Sequence, residues 1–361
     1  MKITPNPNTT SHRPAAHGGI FSIKNPNEKI IDFSSNVNPL GCHPGVKKYL
    51  KKQLNQIHIY PDSESSKLRT NLKWFTGINT SQILVGNGAT EIIYNFCSTF
   101  VNKKSKVLIP CPTFSEYEKA VKFFGGNIIS FKSMNLNNDL SKFLEKIPKN
   151  GIIFICNPNN PTGKILSKNN MKQIVKIAQK QSSLVFVDET FIELVPDSYP
   201  TLVKSIKSYD NLFILRSFTK SFGLAGLRIG YGLGSKKIIE ILQRIKIPWN
   251  VNYIAQTAAS AALCYSDFLE KSRKNIKKEN LFLMKSLSKI KWLSCFNSST
   301  NFILIKTKIN SKILQKKLIK KNILVRDCST FCGLNKNYIR IAIKNRNQNK
   351  LLVEALKEIK W

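Results

Sequence analysis

The chain has 361 residues, 42% of them apolar, and carries 57 lysines and arginines against 21 acidic residues, a net charge of +36. No apolar run approaches the roughly 20 residues that span a bilayer, and the polar, proline-interrupted start "MKITPNPNTTSHRP" is unlike a signal peptide. The basic residues are dispersed and accompany no helix-turn-helix, zinc-finger or RNA-binding signature, which speaks against a specific nucleic-acid reader; they read as a lysine-rich solvated surface whose positive field gathers anionic substrates.

Taken in chain order, the first 45 residues are extended and rich in Pro and Gly, an arm lying across something else. Short apolar runs follow: "QILVG" (82–86), "KVLIP" (106–110), "NIISF" (127–131), "GIIFIC" (151–156), "SLVFVDE" (183–189) and "LFILRS" (212–217). They read as buried strands, and helical patterns such as "ATEIIYNFCSTF" (89–100) and "SKNNMKQIVKIAQKQ" (167–181) lie between them. That alternation predicts a mostly parallel sheet covered by helices. A long helical pattern from about residue 253 to 290 leads into "TNFILIK", "SKILQKKLIKKN", "ILVRD", "YIRIAI" and a last helix, a second, smaller α/β domain. The eight cysteines are scattered, with no CxxC pair and no second metal half-site. Reduced thiols in a cytoplasm and no metal site are the expectation.

Ligands of open α/β sheets sit beyond the carboxyl ends of the strands, so the polar residues there carry the functional question. After the first run, Gly86-Asn87-Gly88-Ala89-Thr90-Glu91 opens a helix, either as a plain tight turn or as an anion site at the helix N-terminus. Asn157-Pro158-Asn159-Asn160-Pro161-Thr162-Gly163 is an amide-rich rigid turn. Asp188 ends a buried strand, a costly place for an acid unless it caps a helix, is paired or is functional. Ser217-Phe218-Thr219-Lys220 follows the last run, with Arg228 eight residues beyond the lysine.

Each signal is ambiguous alone, but their order and spacing resemble the fold-type I enzymes that use pyridoxal 5'-phosphate, in the class I/II aminotransferase branch. The resemblance covers nearly the whole chain. It implies an N-terminal arm (1–45) packing on the small domain and the active site, a large cofactor-binding domain (46–252) and a small C-terminal domain (253–361). It also implies that Lys220 binds the cofactor aldehyde, that Gly88, Ala89, Thr90, Ser217, Thr219 and Arg228 cradle its phosphate, and that Asp188 pairs with the ring nitrogen. Asn160 contacts the ring oxygen and, in the same reading, the substrate. Phe114 stacks on the ring, and Tyr60 reaches the phosphate of the neighbouring subunit in a homodimer; core packing is the alternative for these two aromatics.

Arg340 in "YIRIAI" and Arg326 in "ILVRD" suit a dianionic phosphate at least as well as a carboxylate. Two branches of the family fit a phosphorylated substrate. "AAHGG" (15–19), "IDFSSNVNPLG" (31–41), Phe191 in "VDETFIEL" and "IPWNVN" with Trp249 and Asn252 resemble L-threonine-O-3-phosphate decarboxylases more than histidinol-phosphate aminotransferases. On that resemblance His17, Gly18 and Asn38 join Asn160, Arg326 and Arg340 around the substrate, although His17 also reads as a loop histidine and Trp249 as a core aromatic. One departure is Ile20, where the decarboxylases usually carry asparagine.

Overall fold

The computed structural model describes residues 7–24, 26, 28–196 and 200–360; residues 1–6, 25 and 27 of the expected arm lie outside them. The arm contributes β1 (Ile31–Asp32). Seven further strands form the large sheet: β2 (Ile83–Gly86), β3 (Lys106–Cys111), β4 (Asn127–Lys132), β5 (Ile152–Cys156), β6 (Leu184–Asp188), β7 (Leu212–Ser217) and β8 (Gly230–Gly234). Their order is β2-β8-β7-β6-β5-β3-β4, and only β8 runs antiparallel to its neighbours. Strands β5 and β7 are buried along their whole length, which is why they read as continuous apolar runs rather than alternating ones. One apolar cluster, with Leu108, Val185 and Ile214, fills one face of the sheet, and a second, with Phe96, Phe154, Phe186 and Phe213, fills the other.

Strand β8, "GYGLG", escapes pattern reading because three of its five residues are glycine. The reason lies across the sheet: a Cβ on Gly232 would stand 2.3 Å from the Phe213 ring. The aromatic core therefore requires glycine in a strand interior, where glycine ordinarily weakens the ladder.

The small domain adds β9 (Leu293–Cys295), β10 (Phe302–Thr307), β11 (Ile323–Leu324), β12 (Arg326–Asp327) and β13 (Tyr338–Ala342), with β12-β13-β10-β9 forming an antiparallel sheet. Strand β1 pairs in parallel with β11, and Phe33 is buried in the small domain's core. The long helical pattern resolves into two helices, Tyr253–Leu263 and Asp267–Leu287. The first buries Ala255, Ala258 and Ala259 in the large core, and so does Leu269 of the second; Ile276, Leu283 and Leu287 enter the small core. The second helix is thus shared between the two cores. Among the described residues, no helix is long and apolar enough to cross a membrane.

Candidate active site

The carboxyl ends of β6 and β7 open onto a cavity of about 410 Å³ lined by both domains and the arm. On the large-domain side β7 ends at Ser217, whose hydroxyl accepts the Thr219 N–H at 3.1 Å and so caps the short helix Phe218–Ser221. That helix carries Lys220 and is clamped from behind. Ser221 donates to Glu193 at 2.8 Å, and Glu193 and Glu189 are ion-paired with buried Arg216. Burial, then the charges of Arg340 and Arg228, lower the Lys220 amine to about 8, which makes it a usable nucleophile and proton carrier near neutral pH.

Asp188 sits at the floor. Its Oδ2 accepts the Tyr117 hydroxyl at 2.5 Å and its Oδ1 the Thr190 N–H at 2.9 Å. Burial pushes this carboxyl up, so a cationic N–H partner in the cavity would relieve it. Beside it the helix Ala89–Phe100 starts at Gly88 with no side-chain cap, leaving N–H groups at the positive end of its dipole for an anion. Arg228 packs against Gly88 and donates to the Ala225 carbonyl at 3.0 Å and to Thr219 Oγ1 at 3.4 Å. A buried acid, an amine of lowered affinity for protons and an uncapped helix end beside a guanidinium together fit a cofactor that bears an aldehyde, a ring nitrogen and a phosphate. Phe114 and Phe191 supply apolar walls.

The opposite wall is cationic. Arg326 and Arg340 face each other across the β12–β13 ladder and are almost fully buried. Arg340 donates to Asn160 Oδ1 and, at 2.8 Å, to the Ser34 carbonyl, while its Nε has no partner; Arg326 donates to the Ala16 carbonyl. Their partners are thus neutral oxygens, and burial lowers Arg340 to about 10. Two desolvated guanidiniums with neutral partners call for an anionic ligand. His17 completes this wall, with Nε2 at 2.6 Å from Glu116 Oε1. Gly18 is glycine by necessity, since a Cβ there would meet the Ser34 carbonyl at 2.8 Å.

The cavity therefore gathers Ala89, Thr90, Phe114, Asn160, Asp188, Ser217, Thr219, Lys220, Arg228, His17, Gly18, Arg326 and Arg340, with Gly88 just behind Arg228. Asn38 is a correction. Its amide donates at 2.8 Å to both the Ser221 carbonyl and Ser272 Oγ, and its Oδ1 accepts the Leu40 N–H, so it braces the lysine helix and does not line the cavity. Asn36, two residues earlier, lines it instead. Tyr60 also lies away from the cavity, 78% exposed against Trp249 at 5.0 Å. Asn252 caps the helix Tyr253–Leu263, and Ile20 opens a short turn (Ile20–Ser22). Sequence reasoning missed Tyr117 and Glu116; both stand in the "CPTFSEY" stretch, but their partners are 71 and 99 residues away.

Residues 28–356 match the family model of aminotransferase class I and II. The chain is 39% identical over 342 residues to a histidinol-phosphate aminotransferase of Methanococcus aeolicus, covering 93% of this chain and 91% of that one. It is 36% identical over 351 residues to a protein of Caldanaerobacter subterraneus subsp. tengcongensis provisionally named threonine-phosphate decarboxylase, covering 96% and 94%. The crystal structure of the histidinol-phosphate aminotransferase from Clostridium acetobutylicum superposes with a TM-score of 0.83 at 32% identity, over 90% of this chain and 97% of that one. The family's cofactor is pyridoxal 5'-phosphate, which the Lys220, Asp188 and Arg228 sides of the cavity fit. Sequence, fold and cavity converge: the chain belongs to the class I and II aminotransferases, as a fold-type I pyridoxal-phosphate enzyme of the group that holds histidinol-phosphate aminotransferases and threonine-phosphate decarboxylases.

Proposed function

We propose that the enzyme decarboxylates O-phospho-L-threonine to (R)-1-aminopropan-2-ol O-2-phosphate, the aminopropanol linker of cobalamin. The observation that carries this reading is the Ala16–Gly18 segment of the arm in the cavity wall, where Arg326 binds the Ala16 carbonyl and His17 stands beside the two arginines. Bound pyridoxal phosphate supplies an electron sink for the bond that breaks at the substrate's α-carbon. The chain decides which bond that is. With Arg326, Arg340 and His17 on the substrate phosphate, no guanidinium of this wall would clamp the α-carboxylate, which would be the group free to leave as carbon dioxide. Asp188, fixed by Tyr117 and Thr190, holds positive charge at the ring nitrogen. Lys220, with its lowered proton affinity, returns a proton to the α-carbon. Phe114 and Phe191 keep that side of the cavity apolar.

A second reading, histidinol-phosphate aminotransferase, is favoured by the 39% identical relative and by the name most of the similar curated proteins carry. There Arg340 would clamp the substrate α-carboxylate, so that the α-carbon's C–H bond would be the one to break. O-phospho-L-serine is a third substrate within reach, because one methyl group is worth only about 1–3 kcal/mol of discrimination. In either reading the enzyme works as a homodimer: exposed Tyr60, Trp249, Ile57, Ile59 and Ile247 supply an apolar surface for a second copy, and Tyr60 would enter the partner's site. The eight free thiols are in keeping with a cytoplasmic setting.

The deciding experiment loads the protein with cofactor and follows carbon dioxide release from O-phospho-L-threonine, with histidinol phosphate plus 2-oxoglutarate in parallel. Carbon dioxide with equimolar aminopropanol phosphate is the expected result. Glutamate from the parallel reaction without carbon dioxide from the first would overturn it.

A further inference from the structure

We infer that Glu116 is a positioning residue for the substrate phosphate: together with Tyr94 it holds the arm's His17 in the cationic wall and so sets the affinity for the phosphoryl group. The inference rests on the decarboxylase reading proposed above, in which His17, Arg326 and Arg340 face the substrate phosphate.

Glu116 is the second residue of the helix Ser115–Phe123 and lies behind the cavity wall, its side chain 5% exposed. A carboxylate so placed is costly unless its oxygens are satisfied. Both are: Oε1 lies 2.6 Å from His17 Nε2 and Oε2 accepts the Tyr94 hydroxyl at 3.1 Å. Burial acts to raise this carboxyl, but the His17 contact and the Tyr94 hydrogen bond outweigh it and hold it below its ordinary range. Glu116 is therefore anionic at neutral pH, and a ring nitrogen facing a carboxylate carries its proton there. Only Nδ1 remains to meet a ligand. An imidazolium donates from both nitrogens, so Glu116 and a dianionic phosphate can share one cation between them.

Among the described residues, no other hydrogen bond orients that ring. His17 is 53% exposed, and among the described residues its ring otherwise meets Phe114 in a tilted approach at 6.1 Å. The neighbouring residues are anchored elsewhere: Ala16 to Arg326 of the small domain, and Gly19, through its N–H, to Ser34 Oγ at 2.7 Å. Glu116 belongs to the large domain. Two consecutive arm residues, Ala16 and His17, thus bridge the two domains around the anion site, and the Glu116–His17 pair is the large-domain end of that bridge.

The test uses the cofactor-loaded enzyme and measures KM for whichever phosphorylated substrate turns over, together with inhibition by inorganic phosphate. Glu116→Gln keeps the shape and removes the charge, so KM and the phosphate inhibition constant should both rise about tenfold, the usual worth of a charge-assisted over a neutral hydrogen bond, with kcat kept within about twofold. Tyr94→Phe, which leaves the pair intact but looser, should shift both constants in the same direction by a smaller factor. Combined with His17→Asn, Glu116→Gln should add nothing further, as expected of residues that act as a unit. Full additivity, or unchanged constants in Glu116→Gln, would overturn the inference. If His17→Asn weakens phosphate while Glu116→Gln and Tyr94→Phe do not, the phosphate reading survives and the positioning role fails. If His17→Asn also changes nothing, both fall.

Discussion

Replacing Gly88 with alanine tests the proposed role of the helix Ala89–Phe100 and Arg228 as the cradle of the cofactor phosphate. Gly88 has φ 84° and ψ 165°, a region nearly exclusive to glycine, and holding another residue there costs about 1–3 kcal/mol. The new Cβ would also stand 2.6 Å from Nη2 and 3.2 Å from Cζ of Arg228. The guanidinium must yield, although Ala225 and Thr219 hold it. Losing one of its charge-assisted hydrogen bonds to the phosphate would cost about 1.5–3 kcal/mol, or about 10- to 150-fold in dissociation constant. Titration of the apoenzyme with pyridoxal phosphate, read by visible absorbance, measures the second quantity; denaturant unfolding of the apoenzyme measures the first. An alanine variant that loses stability yet binds cofactor as wild type does would remove Arg228 from the phosphate clamp. Unchanged stability would refute the backbone argument itself.

Three other outcomes follow from the same geometry. The rate at which the apoenzyme captures cofactor should rise with pH and level off above about 8, because the neutral Lys220 amine is the nucleophile and burial, Arg340 and Arg228 lower it to about 8; a rate still climbing near the ordinary lysine range would refute this. The sign for stability is the same, since between about 8 and 10.5 the unfolded chain binds more protons at this lysine than the folded one and stability rises with pH. Arg340→Lys keeps the charge but loses the planar fork, so KM for the phosphorylated substrate should rise at least about tenfold, and an unchanged KM in steady-state assays would count against the anion site. Tyr117→Phe leaves Asp188 Oδ2 buried without its hydroxyl partner and should cost the apoenzyme about 1–3 kcal/mol in denaturant unfolding, with less than that lost once cofactor supplies a cationic N–H.

The sequence by itself determined the large sheet's parallel strands, because strands buried on both faces are written as unbroken apolar runs, and the residues at their carboxyl ends, because ligand chemistry collects there. Lys220, Asp188, Asn160 and Arg228, which end or trail such strands, drew notice there, and their order and spacing carried the family resemblance that suggested their roles; all four line the cavity. Tertiary structure alone decided what depends on partners far along the chain. Gly-rich β8 is a strand because it pairs with β2 and β7, and its Gly232 is glycine because Phe213 fills the space a Cβ would need. Of the two asparagines in "SSNVNPLG", Asn36 faces the cavity and Asn38 turns to Ser221 and Ser272, 183 and 234 residues away, a difference no local pattern encodes. Glu116 reads as an ordinary helix-start acid until folding brings His17 to it across 99 residues of chain. Spacing can place a residue at a strand end, but the direction of its side chain is set by long-range packing and by the need to satisfy buried polar groups.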